Sequence, residues 1–206
     1  MTTSRTRAAG GPIVAGESLM PPLRALTAAE RHVVLRIARA SIVAAVHGAA
    51  SPAVAEGLSP ALCEPAAAFV SLHHDGQLRG CIGTTAPDWP LHETVARMAR
   101  SAALDDPRFP PLRDGELVAV SIEVSRLSTL VPARPEQIVS GRHGVSVWRD
   151  ERRAVFLPQV AAHHHWDRDT LLAELCRKAM LPADAWRYPD TCLMVFTADV
   201  FGDSDG

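Results

Sequence analysis

One order of segments occurs twice in this chain of 206 residues, and it constrains the fold more than any single motif. Each time two short apolar runs flank a polar turn, a helical stretch follows, and an alternating strand closes the unit. In the first copy, Phe69 to Leu72 and Leu78 to Thr84 predict a hairpin around His73-His74-Asp75-Gly76-Gln77, with Gly76 free to take positive φ. Asp88 is placed to cap the next helix, with Pro90 in its first turn and Leu91, Val95, Met98, Ala99 and Ala102 as its apolar stripe. From Leu117 to Leu130 a strand is expected, with Val118, Val120, Ile122 and Val124 alternating against Ala119, Ser121, Glu123 and Ser125. Such alternation means one buried face and one wetter face.

In the second copy, Val145 to Trp148 and Ala154 to Leu157 flank the turn at Arg149 to Arg153. Asp167 or Asp169 caps a helix carrying Leu171, Leu172, Leu175 and Ala179, ended by Pro182, and Cys192 to Phe201 is the closing strand. The spacing is roughly 75 residues. Residue identity between the halves is slight, so the repetition is one of structure. Antiparallel hairpins with interleaved helices indicate an α+β fold, and no central linker is long enough to separate the halves into independent domains.

The N-terminal region reads differently. Residues 1–26 are punctuated by Gly, Pro and Ser and are expected to be a mobile tail. Thr27 with Glu30 forms a capping box, and Val33, Val34, Ile37, Ser41, Ile42 and Ala45 recur at helical spacing up to Gly48. Residues 48–65 read as a loop with a helical turn near Leu62. The expected organisation is one domain over 27–201, with 27–65 its helical region and 66–201 its sheet, and a short tail over 202–206.

Composition narrows the function classes. Hydrophobic residues make up 47% and charged residues 21%, which excludes wholesale disorder. A formal net charge of -2 argues against a dedicated nucleic-acid binder. No apolar run is long enough to span a bilayer and no secretory signal is present. The four cysteines (Cys63, Cys81, Cys176, Cys192) form no C-x-x-C pair, so a cytoplasmic protein with reduced thiols is expected. Of 21 Lys plus Arg, only Lys178 is lysine. A coding bias toward arginine explains the rest, and a lysine kept against it hints at a site needing a compact ammonium.

Seven segments are more specific than generic sheet and helix. They are Phe69-Val70-Ser71-Leu72, Leu78-Arg79-Gly80-Cys81-Ile82-Gly83-Thr84, Asp105 through Leu112, Ile122-Glu123-Val124-Ser125, Gly141-Arg142-His143-Gly144, Leu157-Pro158-Gln159-Val160-Ala161, and Cys176-Arg177-Lys178-Ala179 followed by Leu181-Pro182. In this order and spacing they resemble the AMMECR-one family, from about Thr27 to Phe201. The resemblance implies an α+β fold with two strand-rich repeats forming one barrel-like, mostly antiparallel sheet, and a small lobe containing the N-terminal helix. The bacterial branch is similar to protein A of the AmmeMemoRadiSam system. That implies a Memo-like protein and a radical SAM enzyme as partners, without implying a reaction. Two departures stand out: Met180 replaces the glycine usual after Lys-Ala, and His163-His164-His165 replaces a mixed or acidic stretch.

The segment Arg79-Gly80-Cys81-Ile82-Gly83 is the strongest candidate site. Glycine within a strand often marks close approach of a ligand or another backbone, so Gly80 and Gly83 leave Cys81 an accessible floor. Arg79, two residues away on the same face, is positioned to favour the thiolate. With His143 as base and Asp106 or Asp105 to orient it, the inventory is that of a cysteine nucleophile. The bland alternative is a buried Cys81 packed as a small hydrophobe, with glycines relieving crowding. Arg108 and Phe109 project from a proline-braced loop, where Arg108 suits a carboxylate or phosphate. Gln159 offers amide donors and an acceptor, and Lys178 either an anion contact or a helical pair with Glu174. Adjacent histidines rarely aim at one ion, so no metal is expected at 163–165. No nucleotide, flavin or radical SAM signature is present, and no cofactor is expected. Two readings stand: a groove of Arg79, Cys81, Arg108, His143 and Gln159 that docks a partner or small molecule, or a Cys81-dependent enzyme with His143 as general base.

Overall fold

The structure is a computed structural model that describes residues 23–50 and 57–203. The first helix, α1 (Ala28–Val46), begins as its capping box dictates: the Glu30 backbone N–H donates to the Thr27 hydroxyl, and Thr27 N–H donates to the Glu30 carboxylate. It stops at Gly48, whose φ is 69°. After a single turn, α2 (Pro60–Cys63), the hairpin β1 (Ala68–His74) and β2 (Gln77–Thr84) follows. Its tip holds Asp75 at φ 49° and Gly76 at φ 74°, the paired left-handed residues that a tight right-twisting hairpin requires.

Helix α3 (Leu91–Leu104) has Pro90 at its N-cap position and no side-chain cap, so Asp88 does not serve as one. Then come β3 (Val120–Leu127), β4 (Val131–Pro132), β5 (Gly144–Arg149), β6 (Arg152–Phe156), α4 (Pro158–His163), α5 (Arg168–Lys178), β7 (Cys192–Phe196) and β8 (Ala198–Gly202). Asp167 caps α5 by accepting from Thr170 N–H at 2.8 Å.

These strands form two antiparallel four-stranded sheets, ordered β2-β1-β3-β8 and β4-β7-β5-β6. The expected single barrel-like sheet is therefore corrected, and among the described residues no closed barrel exists. The cause lies where two expected strands are interrupted. At Thr197 the backbone N–H is taken by the Ser128 hydroxyl, 3.0 Å away, so the ladder breaks. Upstream residues of that strand lie in the second sheet as β7, and downstream residues in the first as β8. The strand expected over Leu117 to Leu130 ends at Leu127 and resumes in the second sheet as β4. Two chain segments thus run through both sheets.

The first core lies between the first sheet and helices α1 and α3. Val34, Ala38 and Ile42 meet Val95 and Ala99, over Val70, Leu72, Ile122 and Val124. Helix α5 covers the second sheet, packing Leu172 and Leu175 on Val145, Val147 and Val195. Parts of the segments expected to be tails are held in the fold. Leu26 is buried and its N–H donates to Asp199, so residues 23–26 are fastened, while 1–22 lie outside the described residues. Asp203 accepts from Ile122 N–H and from Arg39, and 204–206 lie outside the described residues.

Candidate functional site

Alternation in the first sheet decides what faces the helices and what does not. Val70 and Leu72 face the core, so Phe69 and Ser71 face away from it. Register then brings Cys81 and Gly83 beside them from β2, and Glu123 and Ser125 from β3. Cys81, Ser71 and Glu123 stand in one row across three neighbouring strands. The Ser71 hydroxyl donates to the Cys81 sulfur at 3.2 Å.

The other side of Cys81 is an open strand edge, because β2 has no further neighbour. Two side chains from the loop after α3 fill it. Asp106 Oδ2 accepts from Cys81 N–H at 2.8 Å, and Arg108 Nη2 donates to the Cys81 carbonyl at 3.2 Å. Asp106 also accepts from Arg108 N, Nε and Nη2 at 3.1, 2.9 and 2.7 Å. The pair stands in for a missing strand, satisfying the edge and fixing the backbone that carries the thiol. The Arg108 guanidinium holds the Asp106 carboxyl down at about 2, against a smaller opposing effect of burial. Arg108 also lies over the Phe109 ring, 5.4 Å from its centroid.

Two further groups reach this face from the second half. Gln159, at the start of α4, donates through Nε2 to Ser125 Oγ at 2.9 Å and to Glu123 Oε1 at 3.2 Å. Its carbonyl oxygen is buried without a partner. Lys178, the last residue of α5, donates to the Val155 carbonyl at 2.9 Å and stands 4.6 Å from the Phe156 ring centroid. The residue as a whole is exposed, with the ammonium held by Val155 and Phe156. Burial, and then the like charge of Arg108, push its pKa below the usual lysine value, while Cys81 pulls the other way. The pairing with Glu174 does not form, because Glu174 pairs with Arg177.

Burial dominates at Cys81 itself and pushes the thiol pKa up. The Ser71 hydrogen bond and the charge of Arg108 lower it, Asp106 raises it, and Lys178 lowers it. The balance leaves a half-buried, protonated thiol at neutral pH. Arg79 is not among the groups acting on it. A β-bulge sets Leu72 opposite Gly80 and His73 opposite Leu78, leaving Arg79 as the extra residue. Its guanidinium is committed to Glu116, at 2.8 and 3.2 Å, and to the Pro110 carbonyl at 2.9 Å. The cations near Cys81 are Arg108 and Lys178 instead.

The glycines have packing partners rather than ligand space. A Cβ on Gly80 would lie 2.2 Å from the Ala102 carbonyl oxygen, and one on Gly83 would lie 2.2 Å from the Phe69 ring. His143 is 6% exposed and its Nδ1 accepts from Val139 N–H at 3.2 Å. Burial, and then the charge of Arg142, hold its pKa below the usual histidine value. Neither Cys81 nor Asp106 is among its hydrogen-bond partners, and the oxygens of Asp106 are spent on Arg108 and the Cys81 backbone. Ser71, Glu123 and Ser125 were not singled out from the sequence as site residues. Alternation had placed Glu123 and Ser125 on a wetter face, but only the pairing of three strands brings them to Cys81.

Elsewhere, Cys176 is buried in the second core and His164 stacks on Trp166 at 4.6 Å. Among the described residues, no three His, Cys, Asp or Glu side chains group to hold a metal, and no helix is long and apolar enough to cross a membrane. A concavity of about 560 Å³ lies along α1 beside β8, but its Arg31 and Arg39 are paired with Asp199 and Asp203. A smaller one, about 180 Å³, adjoins Glu123 on the Cys81 face.

The AMMECR1 family profile matches residues 35–201. This chain belongs to the AMMECR1 family. A protein of Thermococcus onnurineus is 38% identical over 178 residues, covering 81% of this chain and 87% of that protein. Protein MK0488 of Methanopyrus kandleri is 40% identical over 192 residues, covering 87% and 91%. The crystal structure of the uncharacterised protein PH0010 from Pyrococcus horikoshii has the same fold, with a TM-score of 0.78 and 35% identity. It covers 82% of this chain and 89% of that one. These AMMECR1 relatives carry no assigned activity, so chemistry has to be argued from the row at Cys81.

Proposed function

We propose that the protein is a binding component whose groove around Cys81 takes a small molecule or protein segment through an anionic group. One observation carries the reading. Two cations from opposite halves, Arg108 and Lys178, each donate to a backbone carbonyl near Cys81, and Arg108, although paired with Asp106 through Nε and Nη2, keeps Nη1 for a ligand. Cations preorganised in this way lose little freedom on meeting a carboxylate or phosphate. A protonated thiol donates a hydrogen bond and is a poor nucleophile, which favours binding over covalent catalysis. The alternative of a Cys81 enzyme with His143 as base has no supporting contact, since His143 bonds to Val139 instead.

The family resemblance supports a Memo-like protein and a radical SAM enzyme as the physiological partners. Affinity capture at native expression levels tests that assignment: retention of either supports it, and loss of both removes it. The site is tested separately by titrating acetate and inorganic phosphate while following the amide resonances of residues 79–83. Saturable shifts in the native protein that disappear in Lys178→Met support the anion site; unchanged resonances overturn it.

A further inference from the structure

The Cys81 row has a second end, and its chemistry is opposite to the first. Glu123 Oε1 accepts from Gln159, and among the described residues no hydrogen bond or cation engages Glu123 Oε2. Next to it the Gln159 carbonyl oxygen is buried and unpaired. A buried acceptor of this kind leaves its desolvation uncompensated until a donor reaches it. Beside Glu123 the 180 Å³ concavity opens, lined also by His73, Ser121 and Val200. Spare acceptors therefore gather over β3, while the cations Arg108 and Lys178 stand over β2 and the facing wall. Between them in this row stand the Cys81 thiol and the Ser71 hydroxyl, both uncharged.

Such a site is polarised along the row. A negative group is drawn to one end and a donor-bearing positive group to the other. Register gives a scale for the row: the backbones of Cys81 on β2 and Glu123 on β3 are separated by β1, hence by two inter-strand spacings, about 10 Å. A primary ammonium fits the acceptor end, having three donors and a single charge. An extended chain of three residues separates its terminal charges by about 10 Å.

We propose that this row binds a short zwitterion, its ammonium at Glu123 and Gln159 and its carboxylate at Arg108 and Lys178, as an unblocked tripeptide presents them. The proposal rests on the anion-binding reading above and adds the cationic half of the ligand.

Triglycine, N-acetyl-triglycine and triglycinamide, titrated separately by calorimetry into the full chain, test it. Triglycine should bind, and blocking either end should weaken binding at least tenfold. In Glu123→Gln the penalty for the N-acetyl group should disappear while the penalty for the amide remains. In Lys178→Met the reverse is expected. Glu123→Gln is isosteric and Lys178→Met keeps an unbranched stem as far as Cε, and near-UV circular dichroism checks that each variant is folded. Equal affinity for triglycine and its N-acetyl form overturns the zwitterion while leaving the anion site standing. No binding of triglycine, with acetate shifts intact, overturns it equally. Silence toward acetate, phosphate and all three peptides removes both readings.

Discussion

Replacing Asp106 by Asn probes how the edge of β2 is held, and its effect can be worked from the structure. The Asp106 side chain is 2% exposed and accepts four hydrogen bonds, three of them from Arg108. Its pKa falls from 3.8 to about 2. At about 1.4 kcal/mol per pKa unit, the ionised carboxylate contributes about 2 kcal/mol to folding at neutral pH. Because Arg108 is about half exposed, this is an upper value. The sign is that of a depressed carboxylate: the contribution is complete above pH 3.8 and is lost as pH falls through 2. Urea unfolding of the native protein and Asp106→Asn should differ by about 2 kcal/mol at pH 7. The difference should narrow to roughly half by pH 3. A difference that stays constant from pH 7 to 3 would refute the charge-based account, and equal stabilities at pH 7 would refute the clamp itself.

Three other perturbations read different regions of the molecule. Met180 sits at φ 59° one residue past the α5 cap, with its N–H on the Arg177 carbonyl and Leu181 N–H on the Cys176 carbonyl. Its side chain is 79% exposed, so Met180→Gly removes strain without removing packing and should stabilise by about 0.5–1 kcal/mol in thermal melts. Gly80→Ala drives a methyl into the Ala102 carbonyl and should destabilise by about 2–3 kcal/mol in urea titrations; an unaffected midpoint would show that α3 can give way. Residue-resolved alkylation against pH should find Cys63 and Cys192, both exposed, reacting ahead of Cys81, whose apparent pKa should lie above the ordinary thiol value. A Cys81 pKa below that value would reverse the assignment of the site from binding to nucleophilic chemistry.

Local features were legible in the sequence where neighbouring residues decide them. Thr27 and Glu30 marked a helix start, Asp75-Gly76 a tight turn, and Asp167 a cap. Cys81, Arg108, Gln159 and Lys178 were singled out; in the structure Arg108 bonds to the Cys81 carbonyl, while Gln159 bonds to Ser125 and Lys178 to the Val155 carbonyl. The partners that give those residues meaning were not legible. A bulge of one residue turned Arg79 away from Cys81 to Glu116, and no periodicity signals a bulge. Asp106 carries no mark showing whether it will meet His143 or a strand edge. The closing strand read as continuous because Thr197 is itself a good strand residue; only the Ser128 hydroxyl, 69 positions away, breaks it. Met180 was visible as a departure from glycine, and its positive φ supplies the reason glycine is usual there.

The two segments that run through both sheets, β3 into β4 and β7 into β8, have a mechanical consequence. The second sheet is one contiguous run of chain, β4 to β7, while the first is completed only by β8 from beyond that run, so the first sheet cannot close until the second has been threaded through it. The halves should melt together in one cooperative transition, and no hinge is available at their junction. A guest lying between the cations Arg108 and Lys178 and the acceptors at Glu123 and Gln159 would then meet a frame of fixed width. Selection at such a site works as a gauge does, by the length of what fits, and a guest one residue too long finds no motion to accommodate it.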